Sequence, residues 1–139
     1  MKKLVTFFFL GIVILSCNQT ITNKDLNKIN GYWEIKQVIL KNGENKDYTI
    51  NETIDYFQIK GTKGFRQKVM PQLDGTYKTN HLKETISISN DNGDFYMNYA
   101  TKYGKWEEEI IEIQDSTLVL KNIDGIEYNY KKYKPFSLK

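Results

Sequence analysis

From residue 31 onward, the chain is a succession of short segments of alternating polarity separated by turn signals, and this pattern limits the folds that it can adopt. The turn signals lie at residues 42–43, 61–64, 74–75, 90–93, 103–104 and 124–125. Asn-Gly and Asp-Gly pairs supply the positive φ angles that tight hairpins need. Between two of these turns, Ile86 and Ile88 alternate with serines, as in a strand with one buried face. No stretch after residue 30 shows a convincing 3.6-residue apolar period, so the pattern predicts antiparallel strands joined by hairpins.

The predicted strands span residues 31–41, 52–60, 64–70, 75–80, 84–90, 94–102, 105–114, 116–122 and 125–133, with a weaker candidate at 46–50. Consecutive short strands without crossover helices form an up-and-down meander. Roughly eight to ten such strands remove their exposed edges by closing into a small barrel, and an open sandwich is the alternative. With about eight strands, the interior holds packed side chains or one small ligand. The predicted fold class is therefore all-β, an antiparallel meander that closes into a small barrel.

The residues that precede the strands form a separate feature. Two lysines are followed by an apolar or small stretch over residues 4–15, then by Ser16 and by Cys17, the single cysteine of the chain. A basic head and an apolar run of this length are typical of a secretion signal. The run falls short of the roughly 20 residues that span a bilayer as a helix. The sequence ILSC at residues 14–17 resembles the lipobox of bacterial lipoproteins.

This resemblance implies that residues 1–16 are a signal helix removed from the mature chain, and that the Cys17 thiol carries a diacylglycerol. Acyl chains such as palmitate then anchor the protein to a membrane, at about 0.8 kcal/mol for each buried CH2 group. An ordinary signal peptide with an incidental cysteine and an uncleaved membrane anchor are the alternatives. Because Asn18 is not aspartate and no acidic run follows it, the expected location is the outer membrane, facing the periplasm.

Four regions are expected along the chain. Residues 1–16 form the signal peptide, residues 17–30 a flexible polar tether, residues 31–134 the barrel domain and residues 135–139 a C-terminal tail. A short helical turn at 24–29 is compatible with the tether. The alternative for this segment is an N-terminal helix that plugs one end of the barrel.

Composition excludes several classes of partner. The formal net charge is +3, but two lysines belong to the leader, so the remainder is close to neutral and gives no reason to expect nucleic-acid binding. The chain contains ten tyrosines, a residue type that favours strands. With Cys17 as its single cysteine, the chain cannot form an internal disulfide, so the core and the sheet hydrogen bonds must stabilise it. We expect a monomer.

A second resemblance concerns the barrel itself. Gly31-Tyr32-Trp33 looks like the Gly-X-Trp signature that opens the lipocalins, and the wider pattern resembles the bacterial lipocalin-like lipoproteins at residues 31–35, 74–77, 106–113, 118–122 and 125–131. The resemblance implies a small up-and-down β-barrel in which Trp33 plugs the floor. Larger lipocalins place an arginine over that tryptophan. Because Arg66 comes too early for this role, Lys131 or Lys132 is the expected cation over Trp33.

Residues suited to catalysis or to metal binding are sparse. The single histidine, His81, lies in a polar hairpin-like segment and cannot form a metal site alone. Four glutamates, at positions 107, 108, 109 and 112, form the densest charge cluster. On a strand, the even-numbered residues from 106 to 112 are expected to share one face and the odd-numbered residues from 107 to 113 the other. We therefore expect no enzyme, no cofactor and no metal, with a carboxylate-based hydrolase as the least favoured alternative.

Large side chains of the predicted strands are the candidates for lining a cavity or for filling the core: Trp33, Tyr56, Arg66, Tyr77, Tyr99, Trp106 and Tyr128. Arg66 is a candidate anchor for a carboxylate or a phosphate, and a structural ion pair is its alternative role. The sequence predicts a lipid-anchored, non-enzymatic lipocalin-like protein of the cell envelope, with a small amphipathic or hydrophobic ligand. The alternative is a structural or protein-interaction barrel with a filled core.

Overall fold

The structure is a computed structural model, and it describes residues 20–135. The predicted signal peptide, Cys17 and residues 136–139 of the predicted tail lie outside this part of the chain. Between residues 20 and 135, no helix has the length and the apolar character needed to cross a membrane.

Nine strands follow a short 3-10 helix. The helix spans Asp25–Ile29, and the strands are β1 (Gly31–Ile39), β2 (Asn45–Asp47), β3 (Ile54–Lys60), β4 (Lys63–Pro71), β5 (Tyr77–Asp91), β6 (Asp94–Thr101), β7 (Gly104–Ile113), β8 (Thr117–Asn122) and β9 (Glu127–Lys132).

The strands form one sheet that closes on itself. From β3 to β9, each strand pairs antiparallel with the next strand in sequence, and β1 completes the ring by pairing with both β9 and β3. The short strand β2 lies beside β1, where Asp47 pairs with Gln37. The predicted fold class, an all-β antiparallel meander closed into a barrel, is confirmed: eight strands form the ring and β2 is added to it.

The barrel has two ends, which we call the floor and the mouth. The floor end carries the 3-10 helix and the turns that join β3 to β4, β5 to β6 and β7 to β8. The mouth carries the turns that join β1 to β2, β6 to β7 and β8 to β9.

The two strands predicted at 75–80 and 84–90 are one strand in the structure, β5. Gln67 of β4 pairs with Lys83, whereas Val69 pairs with Thr79, so β5 contains extra residues across this step. His81 lies within the resulting bulge and has a φ of 59°. A bulge bends a strand without ending it. The polar segment around His81 was predicted to separate two strands, and this prediction was wrong because the segment forms a bulge within one strand. The weaker candidate at 46–50 only partly overlaps β2, which ends at Asp47.

The floor of the barrel is closed by the 3-10 helix. Leu26 and Ile29 are buried in the main core cluster, together with Trp33, which has no exposed surface. The Trp33 Nε1–H donates a hydrogen bond of 2.7 Å to the Ile29 carbonyl. The Asn30 side-chain amide donates to the Ile59 carbonyl at 3.0 Å and so attaches the helix to β3. The segment from 25 to 30 therefore belongs to the barrel, and its assignment to a tether over 17–30 was wrong.

Lys132 is the cation over the floor tryptophan, as the sequence led us to expect for position 131 or 132. Its Nζ lies 4.4 Å from the centre of the Trp33 ring and donates a hydrogen bond of 2.6 Å to the Asn30 carbonyl. Gly31 makes room for this contact: its φ is +113°, and a Cβ there would lie 3.1 Å from Lys132 Nζ. Lys131 instead pairs with Glu34, at 3.2 Å.

We predict that Ile29→Ala lowers the free energy of unfolding by about 2–5 kcal/mol, because it removes buried methyl groups and leaves a cavity under Trp33. The matched control is Ile50→Ala, since Ile50 is 89% exposed and the same change there should stay within about 0.5 kcal/mol. Chemical denaturation followed by tryptophan fluorescence measures both values. Equal effects of the two substitutions would show that the helix does not close the floor.

Candidate functional site in the barrel lumen

The interior of the barrel changes character from the floor to the mouth. Along β3 the inward-facing residues run Ile59, Phe57, Asp55, and along β5 isoleucines at 88 and 86 give way to Glu84. Along β7, Ile110 is followed by Glu108. The floor half is therefore apolar, and the mouth half gathers charged and aromatic side chains from several strands.

Arg66 is the centre of this mouth half. It is 8% exposed, and its Nε donates a hydrogen bond of 2.6 Å to Glu84 on the adjacent strand β5. Its Nη1 lies 3.9 Å from Glu108 Oε1. The guanidinium carbon is 4.4 Å from the centre of the Tyr99 ring and 6.0 Å from that of Phe57. One guanidinium thus contacts side chains from β3, β5, β6 and β7.

Glu108 connects the arginine to an aromatic pair near the mouth. The Tyr99 hydroxyl donates a hydrogen bond of 3.0 Å to Glu108 Oε2. The Tyr99 ring stacks against Trp106, with ring centres 5.2 Å apart and planes 11° apart. Tyr99 is buried, whereas Trp106 is 38% exposed. Trp106 therefore forms the outer layer of the packed interior on this side of the mouth.

A second ion pair lies on β3 and β4. Asp55 is almost fully buried, and Lys68 Nζ lies 2.6 Å from its Oδ1. The same oxygen accepts no well-aligned hydrogen bond, so the contact is an ion pair without hydrogen-bond geometry. The Lys68 side chain is half exposed, which allows its ammonium group to remain partly hydrated while it compensates the buried carboxylate.

Burial shifts the titration of several groups in this cluster. It raises the pKa of Glu108, against the opposing effects of the Arg66 charge and of the Tyr99 hydrogen bond. Burial likewise raises the pKa of the Tyr99 and Tyr130 hydroxyls well above the ordinary value, so both stay protonated. For Arg66, burial acts to lower the pKa, but the surrounding Tyr99, Asp55, Tyr130 and Glu108 raise it on balance, so the guanidinium remains charged.

The charge balance of the cluster bears on its chemistry. Asp55, Glu84 and Glu108 face only two cations, Arg66 and Lys68. An incoming carboxylate or phosphate would have to displace the acids that already contact Arg66 and would add to an excess of negative charge. The arrangement therefore favours Arg66 as a structural partner of internal acids over Arg66 as an anion anchor.

The structure places five of the seven residues predicted to line a cavity or to fill the core inside the barrel. Arg66, Tyr99, Trp106 and Tyr128 lie in the mouth half, and Trp33 forms the floor. Their contacts with one another are those of packed side chains.

The other two predicted residues lie elsewhere. Tyr56 alternates with the inward-facing Asp55 and Phe57, so it points outward, and its ring is 4.7 Å from that of Tyr32. Tyr77, beyond the bend in the β4–β5 hairpin, stacks on Tyr32 with ring centres 4.2 Å apart. Together with Phe65 and Tyr133, these rings form an outer aromatic cluster.

Sequence reasoning missed Asp55, Glu84 and Tyr130 as inward-facing residues, and Lys68 as the half-exposed partner of Asp55. The signal for Asp55 was its alternation with Phe57 and Ile59, and the signal for Tyr130 was its place two residues from Tyr128.

The face assignment along β7 was correct up to Ile110 and wrong beyond it. A register shift between Ile110 and Glu112 places Ile113 in the core and leaves Glu112 only partly exposed. The predicted sharing of one face by Glu108 and Glu112 therefore fails because a bulge reverses the alternation.

Surface depressions lie on the described part of the barrel, including one of about 370 Å3 beside Lys28 and residues 114–116. A groove of about 500 Å3 is lined by Thr20, Ile21, Gly93, Gln114 and neighbouring residues at the floor end. A smaller one, of about 120 Å3, lies between the tip of the β4–β5 hairpin and Tyr133. None of these is lined by Arg66, Tyr99 or Trp106. Over residues 20–135, no group of three or more His, Cys, Asp or Glu side chains is placed to hold a metal ion.

A closed eight-stranded meander with a tryptophan floor defines the class of protein. A comparison with family models matches residues 29–120 to the lipocalin-like domain, and the chain belongs to this family. A comparison with curated proteins found no significant match.

Among solved structures, the chain is similar to a lipocalin-like protein from Bacteroides uniformis, with 16% identity over 76% of this chain and 99% of that one, and a TM-score of 0.49. An uncharacterized protein from Bacteroides eggerthii is similar at 15% identity, over 75% and 98% of the two chains, with a TM-score of 0.47. Apocrustacyanin C1 is similar at 12% identity, over 82% of this chain and 66% of that one, with a TM-score of 0.46.

We predict that Glu108→Gln makes the protein progressively more stable than the wild type as pH rises. Because burial raises the Glu108 pKa, the folded protein binds this proton more tightly than the unfolded chain does. In the wild type, the protonated Glu108 contributes its full stabilisation below the pKa of the unfolded chain, and this contribution is lost as pH rises through the pKa of the folded protein. The glutamine variant does not titrate, so its free energy of unfolding should exceed that of the wild type by on the order of 1 kcal/mol at the high-pH end. The neutral amide still accepts the Tyr99 hydrogen bond.

Unfolding free energies from pH 4 to pH 8, obtained by urea denaturation, test this expectation. The control is Glu107→Gln, because Glu107 is exposed on the same strand and its replacement should leave the pH profile unchanged. A constant offset between Glu108→Gln and the wild type over the whole range would contradict the expected linkage.

Proposed function

We propose that the protein is a lipid-anchored, non-enzymatic lipocalin-like barrel of the cell envelope, whose filled lumen leaves its outer surface to act as a protein-interaction module. The observation that carries the proposal is the placement of Arg66. Its contacts with Glu84, Glu108 and Tyr99 occupy the mouth half of the lumen, where a carried molecule would otherwise lie.

The energetics of this cluster support a filled lumen. A ligand that entered the mouth half would separate Arg66 from its acids and leave buried charges without partners. Breaking a buried ion pair in this way costs about 3–5 kcal/mol, which a small ligand would have to offset before any net affinity appeared. The floor half is occupied by Trp33, Phe57, Met97 and Leu120, all without exposed surface.

We propose a non-enzymatic role because the acids of the barrel interior are already paired with cations. Asp55, Glu84 and Glu108 each contact a cation at the positions described above. His81 is exposed within the β5 bulge and makes no ion pair with these acids among the described residues. The leader sequence, Cys17 and Asn18 support the proposed lipid anchoring and the proposed outer-membrane location facing the periplasm.

A small amphipathic ligand bound at the mouth is the second candidate function. Trp106 favours it, because this ring is 38% exposed while it stacks on the buried Tyr99. A large aromatic surface that is half open to solvent beside buried polar groups is a common feature of small-molecule sites.

We predict that the wild-type protein shows no saturable binding of Nile red or of lauric acid at low micromolar concentration, because its lumen is filled. Fluorescence titration and native mass spectrometry of the protein purified from membranes measure this. Saturable binding would favour the second candidate if Trp106→Ala abolished it and Tyr103→Ala did not. Tyr103 is the matched control, since it is a mouth-turn aromatic that is 83% exposed.

We predict that Cys17→Ala abolishes membrane anchoring. Without the thiol no diacylglycerol can be attached, so an unacylated precursor should accumulate and the membrane-bound mature form should disappear. Fractionation of a bacterial host and the mass of the N-terminal peptide measure the outcome, with Asn18→Ala as the neighbouring control. A Cys17→Ala protein that matured and fractionated like the wild type would rule out the anchor.

A further inference from the structure

We infer that the barrel stands on its membrane with the floor end towards the bilayer and the mouth pointing away from it. This inference rests on the proposed acylation of Cys17, and it adds the surface of the barrel that meets the lipid headgroups. Three observations carry it: where the described chain begins, how short the connection to Cys17 is, and how the two ends of the barrel differ chemically.

The described chain begins at the floor end. Thr20 and Ile21 line one groove together with Gly93, in the turn between β5 and β6, and Gln114, just after β7, and Ile21 packs against the core cluster. The next residues are fixed in place, because the Thr22 backbone N–H and hydroxyl both donate to Asp25 Oδ2, at 2.8 and 2.9 Å. The 3-10 helix then packs into the core. The chain therefore leaves the barrel from a defined point beside the floor turns.

The connection between this point and the proposed lipid is short. Only residues 18 and 19 separate Cys17 from Thr20, and a fully extended chain of this length reaches about 10 Å. The ten residues of β7, at about 3.3 Å each and with the usual strand tilt, give the barrel wall a height of roughly 25 Å. The mouth therefore lies beyond the reach of the lipid while the barrel is upright.

The chemistry of the two ends agrees with this orientation. The floor turns present polar tips, such as Thr62, Asn92 and Ser116, which suit contact with hydrated lipid headgroups. The mouth turns present large exposed apolar side chains, Tyr103 and Ile123, on the side that faces away from the anchoring bilayer. The charge of the floor end is mixed, since Lys60 and Lys63 are offset by the exposed acids Asp91, Asp94 and Asp115, so the orientation does not depend on attraction to anionic headgroups.

Single thiols introduced at the two ends provide the test. Thr62→Cys places a probe at the floor and Asp124→Cys places one at the mouth, and both positions are exposed turn residues. Because Cys17 is the single native cysteine and its thiol is acylated on this proposal, each variant offers one reactive thiol. The mature proteins, purified from membranes, are labelled with a fluorophore and reconstituted in phosphatidylethanolamine–phosphatidylglycerol vesicles that contain a headgroup nitroxide lipid.

We expect the Thr62 probe to be quenched severalfold more strongly than the Asp124 probe. Equal quenching, or stronger quenching at Asp124, would overturn the orientation. Flotation of the vesicles and the mass of the N-terminal peptide are read from the same samples. A peptide without acyl mass would overturn the anchor and the orientation together, whereas an acylated peptide with equal quenching would overturn the orientation alone.

Discussion

The mouth half of the barrel depends on one constraint, which is the burial of a charged guanidinium in its interior. Arg66 stays ionised there, so acids and polarisable rings have to surround it. Glu84 contacts it from β5, Glu108 from β7 and the Tyr99 ring from β6. Each of these partners belongs to a different strand, so the contacts of one guanidinium require β5, β6 and β7 each to turn the partner residue inward. The barrel interior is thus organised by charge compensation near the mouth and by apolar packing near the floor.

The floor shows the complementary solution, in which one large ring organises a set of backbone groups. Trp33 has no exposed surface, donates to the Ile29 carbonyl and lies under the Lys132 ammonium. Because the ammonium is partly withdrawn from water where it covers the ring, burial lowers the pKa of Lys132. The hydrogen bond from Lys132 to the Asn30 carbonyl compensates for some of that lost hydration. The 3-10 helix, the first strand and the last strand are therefore joined at one point.

The sequence was sufficient to predict the fold, because alternation and turn residues act locally and each hairpin fixes its neighbour. The cation over Trp33 was also predictable, since few basic residues near the end of the chain can reach the floor. The failures have physical causes in single residues. The register shifts at Gln67–Val69 and Ile110–Glu112 reverse the alternation of inward and outward side chains, and the composition of these segments does not indicate them. Tyr56 was predicted to face the interior, but the inward face of β3 is that of its neighbours Asp55 and Phe57, because a paired acid is buried there.

The ring of strands has one junction where little of the backbone ladder is present. β1 and β3 are paired only from Gly31 to Trp33, and the last pair of this ladder joins Trp33 to Asp55. Beyond it, loop groups replace the ladder: the Asn51 side chain donates to the Ile35 carbonyl and the Tyr48 N–H to that of Lys36. Breathing of the wall should therefore concentrate at this seam. Asp55 lies at the end of this ladder and is almost fully buried, so transient opening of the seam should let water reach its carboxylate from the side of the barrel.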